Sequence, residues 1–223
     1  MSVSPQPSRN DPNEFGTVAF YAALGRAFVI MCAFIPLLFL IELIDQGTGH
    51  HLDSGAGIAV RHASGLDGIL FAPFLHASWA HLYSNSVPLL LTGTFVLASG
   101  TRRFLQVTAL VVVTSGLSVW LFGPSNSVTI GASGVIFGYL GFLLMRGVVE
   151  RTWWAIAVAA LVGLLYGVVL AGVVPGDPHI SWQDHLGGLL GGVVGAVVFR
   201  QPRAKPLKPA KELPTTATLP TLD

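Results

Sequence analysis

Ser133 opens an apolar stretch, Gly131 to Gly141, in which small residues recur on nearly every helical turn. A serine near the first turn of a helix usually caps that helix. The alternative interpretation is a nucleophile. Its backbone N–H would lie among the unpaired donors at the positive end of the helix dipole, where a developing oxyanion is stabilised. The Gly-Ala-Ser-Gly pattern alone does not decide, because the chain has 26 glycines. A base and further oxyanion donors at the same depth would favour the nucleophile.

The composition is that of a membrane protein. Hydrophobic residues make up 52% of the 223 residues and charged residues 10%, whereas a soluble domain typically has about 25% charged residues. The net charge of +1 gives no sign of nucleic acid as a partner. The single cysteine, Cys32, lies in an apolar segment, so neither a disulfide framework nor a cysteine metal site is expected.

Six apolar segments are close to the length of about 20 residues that a spanning helix needs. They cover approximately residues 21–43, 81–99, 104–122, 133 to before 146, 152–174 and 182–199. The connection 44–75 is too polar to span and is predicted to lie on or partly in the membrane surface. The sequence therefore predicts a short N-terminal segment (1–20), a six-helix domain (21–200) and a disordered, basic, proline-rich tail (201–223).

The positions of Lys and Arg predict the orientation of the chain. With the N-terminus inside, eleven of the twelve Lys and Arg residues fall on the cytoplasmic side and only Arg61 lies outside. Both termini are therefore expected in the cytoplasm. The second, fourth and sixth helices would then begin at the outer face of the membrane.

Strongly polar residues gather at the outer ends of these three helices. His81 and Asn85 are on the second helix, Ser133 on the fourth and His185 on the sixth. Such residues are costly inside a membrane and by default indicate a functional site. His81 and Asn85 are four residues apart and share one helix face, so they could direct two donors into one pocket.

Two rows of glycines could bring Ser133 and His185 together. The rows are Gly134, Gly138 and Gly141 on the fourth helix and Gly188 and Gly192 on the sixth. Small residues at this spacing let membrane helices approach closely. If the two rows meet, Ser133 and His185 come within hydrogen-bond reach, as in serine hydrolysis. Tight helix packing without chemistry is the alternative for either row alone.

These motifs, taken in order, resemble the rhomboid intramembrane serine proteases of the bacterial six-helix type. The resemblance covers roughly His76 to Phe199. It rests on His76 with the His81-Leu82-Tyr83-Ser84-Asn85 run, on Gly131-Ala132-Ser133-Gly134, and on His185-Leu186-Gly187-Gly188 followed by Gly192.

The resemblance implies an all-α, six-transmembrane-helix bundle with a Ser–His dyad. In that dyad Ser133 attacks the peptide carbonyl and His185 acts as general base and then general acid. The implied oxyanion site consists of the Ser133 backbone N–H with the Asn85 and His81 side chains. The implied substrates are single-pass membrane proteins, cut near the outer leaflet of the plasma membrane. Helix five and the loop 175–183 would be the gate, and no metal or organic cofactor is expected.

Several residues depart from the family pattern or invite another interpretation. Phe137 stands where the family often has a tyrosine that stacks on the catalytic histidine. Asp184 precedes His185, but adjacent residues on a helix do not face each other. It is therefore interpreted as an interfacial polar residue. His76 is expected to brace the first loop. The remaining loop histidines, His50, His51 and His62, are expected to be solvated and not to form a metal site.

Two other functions compete with the protease. A non-catalytic rhomboid-like protein that binds membrane clients is under no chemical demand to keep Ser133, His185 and Asn85. A small transporter would distribute polar residues through the membrane, whereas here they collect at one depth. The soluble α/β-hydrolase elbow is excluded, because Val135 stands where its last glycine would be.

Overall fold

The computed structural model describes residues 15–177 and 180–201. The α-helices in this part of the chain are α1 (Val18–Gly47), α2 (His51–Ala56), α3 (Gly68–Phe71), α4 (Trp79–Ala98), α5 (Thr101–Phe122), α6 (Ser133–Glu150), α7 (Trp153–Tyr166) and α8 (Trp182–Val198). Two short strands, β1 (Ile58–Ala59) and β2 (Val128–Thr129), complete the fold together with 3-10 turns at Ala63–Gly65, Ala72–Phe74 and Val169–Val173.

The predicted all-α membrane bundle is confirmed, and each of the six predicted spans corresponds to one helix. Among the described residues, α1, α5 and α6 are long and apolar enough to cross a membrane. The count of six spans stays a prediction. The predicted tail 201–223 lies, except for Gln201, outside the described residues, as does most of the segment 1–20.

Three helices differ in length from the prediction. The fourth predicted span was expected to end before Arg146, but α6 continues to Glu150. The first, α1, extends to Gly47 because Thr17 caps its start and Thr48 its end. The fifth predicted span is shorter, since α7 ends at Tyr166 and continues as the 3-10 turn at Val169–Val173. The Gly172 carbonyl in that turn bonds to the His185 ring, a tertiary contact that hydropathy does not register.

Helix α6 is the centre of the bundle. In this helix 67% of the 18-residue apolar window is buried, against 22% for α1. Its long buried side chains, among them Tyr139, Phe142 and Leu143, belong to the main apolar core. The hydroxyl of Tyr139 lies 2.7 Å from that of Thr108 on α5, so the one polar atom of this large ring is satisfied. Because this helix is enclosed by its neighbours, Ser133, its first residue, is held on a rigid support.

The two predicted glycine rows meet, as the sequence indicated. A side chain at Gly188 would overlap the Gly134 carbonyl, and one at Gly192 would overlap the Gly138 carbonyl. Helices α6 and α8 therefore pack backbone against backbone, which only glycine permits at this distance. This contact fixes the relative depth of Ser133 and His185.

The connection between α1 and α4 is a folded cap over the start of α6. Its strand β1 pairs antiparallel with β2, placing Ile58 opposite Thr129. The Gly131 N–H also donates to the Ala72 carbonyl at 2.9 Å. Glycines at 65 and 68 lie against the backbone of β1 and its neighbours, where a side chain would not fit. The chain leading to Ser133 is thus held at two points, by the pairing of β2 with β1 and by the hydrogen bond from Gly131 to Ala72.

An ion-pair cluster lies at the end of α6 remote from Ser133. The Glu150 carboxylate accepts hydrogen bonds from Arg103 at 2.6 Å and Arg146 at 2.7 Å. Arg103 also donates to the Phe199 carbonyl at 3.0 Å, which ties α5, α6 and the end of α8 together. Both arginines contribute to the positive charge that orients the chain, yet Arg103 and Arg146 are buried, which their positions in the sequence do not indicate.

Candidate active site

One pocket of about 760 Å³ collects all the predicted site residues. Its lining includes His81 and Asn85 from α4, Ser133 and Phe137 from α6, and His185 from α8. The predicted convergence of three helix ends is therefore present. Their roles in catalysis stay predictions.

Ser133 is placed by the turn that precedes α6. Gly131 has a φ of 124°, a conformation that residues with a side chain rarely adopt, and Ala132 is the N-cap residue. Ser133 follows as the first helical residue, so its backbone N–H is one of the unpaired donors of the helix start. Its hydroxyl donates to the Asp184 carboxylate at 3.3 Å. No hydrogen bond joins Ser133 to His185 in this structure, although both line the pocket.

His185 is held in one orientation by two contacts. Its Nδ1 lies 3.0 Å from the Gly172 carbonyl. Because a carbonyl only accepts, this contact makes Nδ1 the protonated nitrogen and leaves Nε2 with a free lone pair. The ring stacks on Phe137, with 3.9 Å between centroids and 8° between planes. The expected stacking surface at Phe137 is confirmed. The geometry suits a base that accepts a proton through Nε2.

His81 and Asn85 line the pocket from α4. The Ser78 hydroxyl accepts a hydrogen bond from the His81 N–H and so caps α4 at this point. The Asn85 amide donates to the His81 carbonyl at 3.2 Å and is buried. A Cβ at Gly131 would lie 2.9 Å from Nε2 of His81, so this ring packs directly on the turn before Ser133.

Asp184 is not the interfacial residue that the sequence suggested. Its side chain is buried, with 6% of the residue exposed. The Ser115 side chain and the Gly134 backbone N–H also interact with this carboxylate. The interpretation as interfacial was wrong because the α6–α8 glycine contact carries this first turn of α8 into the bundle. Asp184 contacts the candidate nucleophile and not the candidate base.

Sequence reasoning missed two residues of this site, Asp184 and Gly172. A Cβ at Gly172 would lie 3.0 Å from Nδ1 of His185 and 3.2 Å from Phe137, so glycine is required for this close approach. Gly172 lies in an apolar run with no neighbouring polar residue to draw attention to it. For Asp184 the signal was present: a carboxylate directly before a candidate base in a membrane segment is costly unless it has partners.

His76 is buried beside the candidate site, and its expected structural role stays a prediction. It is 1% exposed and precedes α4. Its ring packs edge-on against His81, with 5.1 Å between centroids. His76 therefore packs against the His81 ring, while it does not itself line the pocket.

His76 should make the fold sensitive to acid. Burial, with a smaller contribution from nearby His81, lowers the pKa of His76 from 6.5 to about 4. Between these values the unfolded chain binds a proton that the folded protein does not, so stability is present above pH 6.5 and is lost as pH falls toward 4. The loss from this group is about 3 kcal/mol.

We expect the thermal midpoint in detergent to fall between pH 7.5 and pH 4.5. The variant His76→Phe keeps an aromatic ring without a titrating group and should fall clearly less over the same range. Equal pH slopes for the variant and the wild type would contradict this role.

The first loop holds the one group of described residues with metal-ligand geometry. The candidate ligand atoms of Asp45, His50 and Asp53 lie within 4.8 Å of one another. The His50 side chain is solvated, as expected, with 46% of it exposed, but its Nδ1 also lies 3.2 Å from the Asp45 carboxylate and 3.3 Å from that of Asp53. His51 and His62 are exposed, as expected. None of these residues lines the pocket.

Comparisons with known proteins agree with the geometry. Residues 64–202 match the Rhomboid domain. An uncharacterized protein of Mycobacterium tuberculosis is 42% identical over 180 residues, which cover 77% of this chain and 75% of that protein. A second, from Mycobacterium leprae, is 43% identical over 187 residues, covering 79% and 73%. The rhomboid protease GluP of Bacillus subtilis is 32% identical over 137 residues, covering 58% and 25%. This chain is a multi-pass helical membrane protein that belongs to the rhomboid family.

Proposed function

We propose that this protein is an intramembrane serine endopeptidase that cuts membrane-anchored proteins through Ser133 and His185. The observation that carries the proposal is their common pocket, in which His185 is stacked on Phe137 and bonded through Nδ1 to Gly172. A histidine fixed in this tautomer has its Nε2 lone pair available for a proton. A serine at a helix start beside such a base has the arrangement that nucleophilic catalysis needs.

In the proposed reaction the Ser133 hydroxyl turns toward His185 and attacks the scissile carbonyl carbon. As the new C–O bond forms, the hydroxyl proton moves to Nε2 of His185. The tetrahedral intermediate collapses when His185 donates that proton to the leaving amine, which breaks the C–N bond. A water molecule then repeats the sequence on the acyl-enzyme, with His185 again as base, and frees Ser133.

The negative charge of the intermediate needs donors that are already in position. The Ser133 backbone N–H is one, at the start of α6. We assign the Asn85 amide and the His81 ring as the others, because both line the pocket on its α4 side. In the resting structure one Asn85 proton is directed at the His81 carbonyl. The amide has a second proton for an oxyanion.

The proposed substrates are single-pass transmembrane proteins, cut near the outer leaflet of the plasma membrane, with both termini of the enzyme in the cytoplasm. The lining of the pocket extends to Pro175, Gly176 and Asp177 in the segment before α8. This supports the loop 175–183 as the gate, although Pro178 and His179 within it lie outside the described residues. Helix-destabilising residues in the substrate would help, because unwound backbone in lipid leaves polar groups unpaired.

The test uses the purified protein in liposomes with a single-pass membrane substrate that has small residues near its outer end. Cleavage of this substrate, together with labelling of Ser133 by a fluorophosphonate, is the expected result. Labelling without cleavage would support the serine chemistry and count against the substrate tested. A folded protein that shows neither labelling nor cleavage would overturn the proposal.

A non-catalytic, client-binding role is the second candidate. The observation in its favour is that the Ser133 hydroxyl bonds to Asp184 and not to His185 at rest. Under that role the variant Ser133→Ala would still bind membrane clients, and the wild type would not react with the fluorophosphonate. Labelling of the wild type would exclude it.

Asn85→Ala should lower kcat by about 10²-fold and leave KM nearly unchanged, because an oxyanion donor acts only in the transition state. The matched control is Ser86→Ala on the same helix. Ser86 is also buried and also donates to the carbonyl four residues earlier, at 2.7 Å, but does not line the pocket. Steady-state kinetics on both variants give the answer. If Asn85→Ala raised KM by the same factor as it lowered kcat, the oxyanion role would be refuted.

A further inference from the structure

The Asp184 carboxylate lies directly behind the candidate nucleophile. It is 6% exposed and does not line the pocket. Its Oδ2 is 3.3 Å from the Ser133 hydroxyl, which donates to it. A side chain at Gly134 would overlap this carboxylate, so α6 and α8 close tightly around it.

Three polar groups interact with this one carboxylate. They are the Ser115 side chain of α5, the Gly134 backbone N–H of α6 and the Ser133 hydroxyl. Two of the three belong to the start of α6, where the proposed reaction develops negative charge. Hydrogen bonds to a carboxylate are roughly twice as strong as those between neutral groups. Asp184 therefore competes with His185 for the same hydroxyl proton.

We propose that Asp184 is a positioning residue that holds Ser133 in a resting orientation and opposes its activation. The inference rests on the proposed function. Before attack, the hydrogen bond from the Ser133 hydroxyl to Oδ2 of Asp184 breaks and one to Nε2 of His185 forms. The proton stays on Oγ during this rotation and moves to His185 only as the C–O bond forms. Asp184 gains no proton, but its charge disfavours the oxyanion that develops beside it.

The variant Asp184→Asn tests this directly, because it keeps the side-chain size and the acceptor oxygen while removing the charge. A neutral amide holds the Ser133 hydroxyl less strongly. We expect the second-order rate of inactivation by a fluorophosphonate, and kcat for a membrane substrate, to rise about three- to tenfold. KM should stay unchanged, since the carboxylate does not line the pocket. A residue with a purely structural role would only lower these rates when replaced.

A second variant moves the rate in the opposite direction. Ser115→Ala removes one hydroxyl that interacts with the carboxylate and leaves that of Ser133 as the remaining side-chain hydroxyl there. This variant should react more slowly than the wild type, by about two- to fivefold. The double variant Ser115→Ala with Asp184→Asn should regain most of the rate increase expected for Asp184→Asn alone. The matched control is Asp53→Asn, which removes one carboxylate charge in the first loop, outside the pocket, and should leave both rates unchanged.

Thermal midpoints of all variants in detergent separate chemistry from folding. Faster reaction in Asp184→Asn with slower reaction in Ser115→Ala supports the inference. A reactive wild type with an unchanged or slower Asp184→Asn overturns the inference and leaves the proposed function intact. If Asp184→Asn does not fold, an unchanged or faster Ser115→Ala overturns it. A folded wild type that neither cleaves nor labels overturns the proposed function and this inference together.

Discussion

Ser133→Ala will abolish substrate cleavage and fluorophosphonate labelling, with a loss of at least about 10⁴-fold in kcat. The reason is that, in the proposed reaction, Oγ of Ser133 forms the covalent intermediate. His185→Gln should lower both readouts by at least about 10³-fold, because glutamine cannot accept the serine proton. Gel-based labelling and a cleavage assay in liposomes measure the two effects.

A second serine in the pocket supplies the matched control for this result. Ser84 also lines the pocket, but its hydroxyl donates to the His81 carbonyl of its own helix at 2.8 Å. Ser84→Ala should keep its labelling. Labelling that survives in a folded Ser133→Ala protein would identify another nucleophile and contradict the dyad.

Gly192→Ala is expected to be the most damaging single methyl addition in the bundle. A Cβ at this position would overlap the Gly138 carbonyl oxygen and lie 2.8 Å from the Phe142 backbone nitrogen. Backbone atoms on a central helix cannot give way, so α6 and α8 must separate. We expect a loss of about 1–3 kcal/mol in stability, and a fall in activity of at least tenfold, because the same contact sets the distance between Ser133 and His185.

The matched control lies one turn further along the same helix. A Cβ at Gly195 would meet its nearest neighbour, Val107, at 3.5 Å, which is ordinary contact. Gly195→Ala should therefore be neutral or stabilising, by up to about 1 kcal/mol, since alanine favours a helix over glycine. Thermal unfolding and cleavage assays on the pair decide the matter. Similar effects of the two substitutions would show that helix approach does not determine this site.

The sequence alone determined which residues are candidates for chemistry and which helix faces could bring them together. Composition indicated a membrane bundle, and the spacing of the glycine rows indicated the faces on which α6 and α8 could meet. These signals are local, because helix spacing puts Gly188 and Gly192 on one face regardless of the rest of the chain. The stacking of Phe137 on His185 was implied by the resemblance to the rhomboid family and not by helix spacing.

Tertiary structure alone decided the partners of the polar groups. Ser133 bonds to Asp184, 51 residues away. The His185 ring is fixed by Gly172, and Arg103 pairs with Glu150 across 47 residues. Each pair depends on how far two helices slide and rotate against each other, which no spacing within one helix encodes. Hydropathy also treats the Gly172 carbonyl as part of an apolar run, whereas the 3-10 turn makes it the acceptor that sets the histidine tautomer.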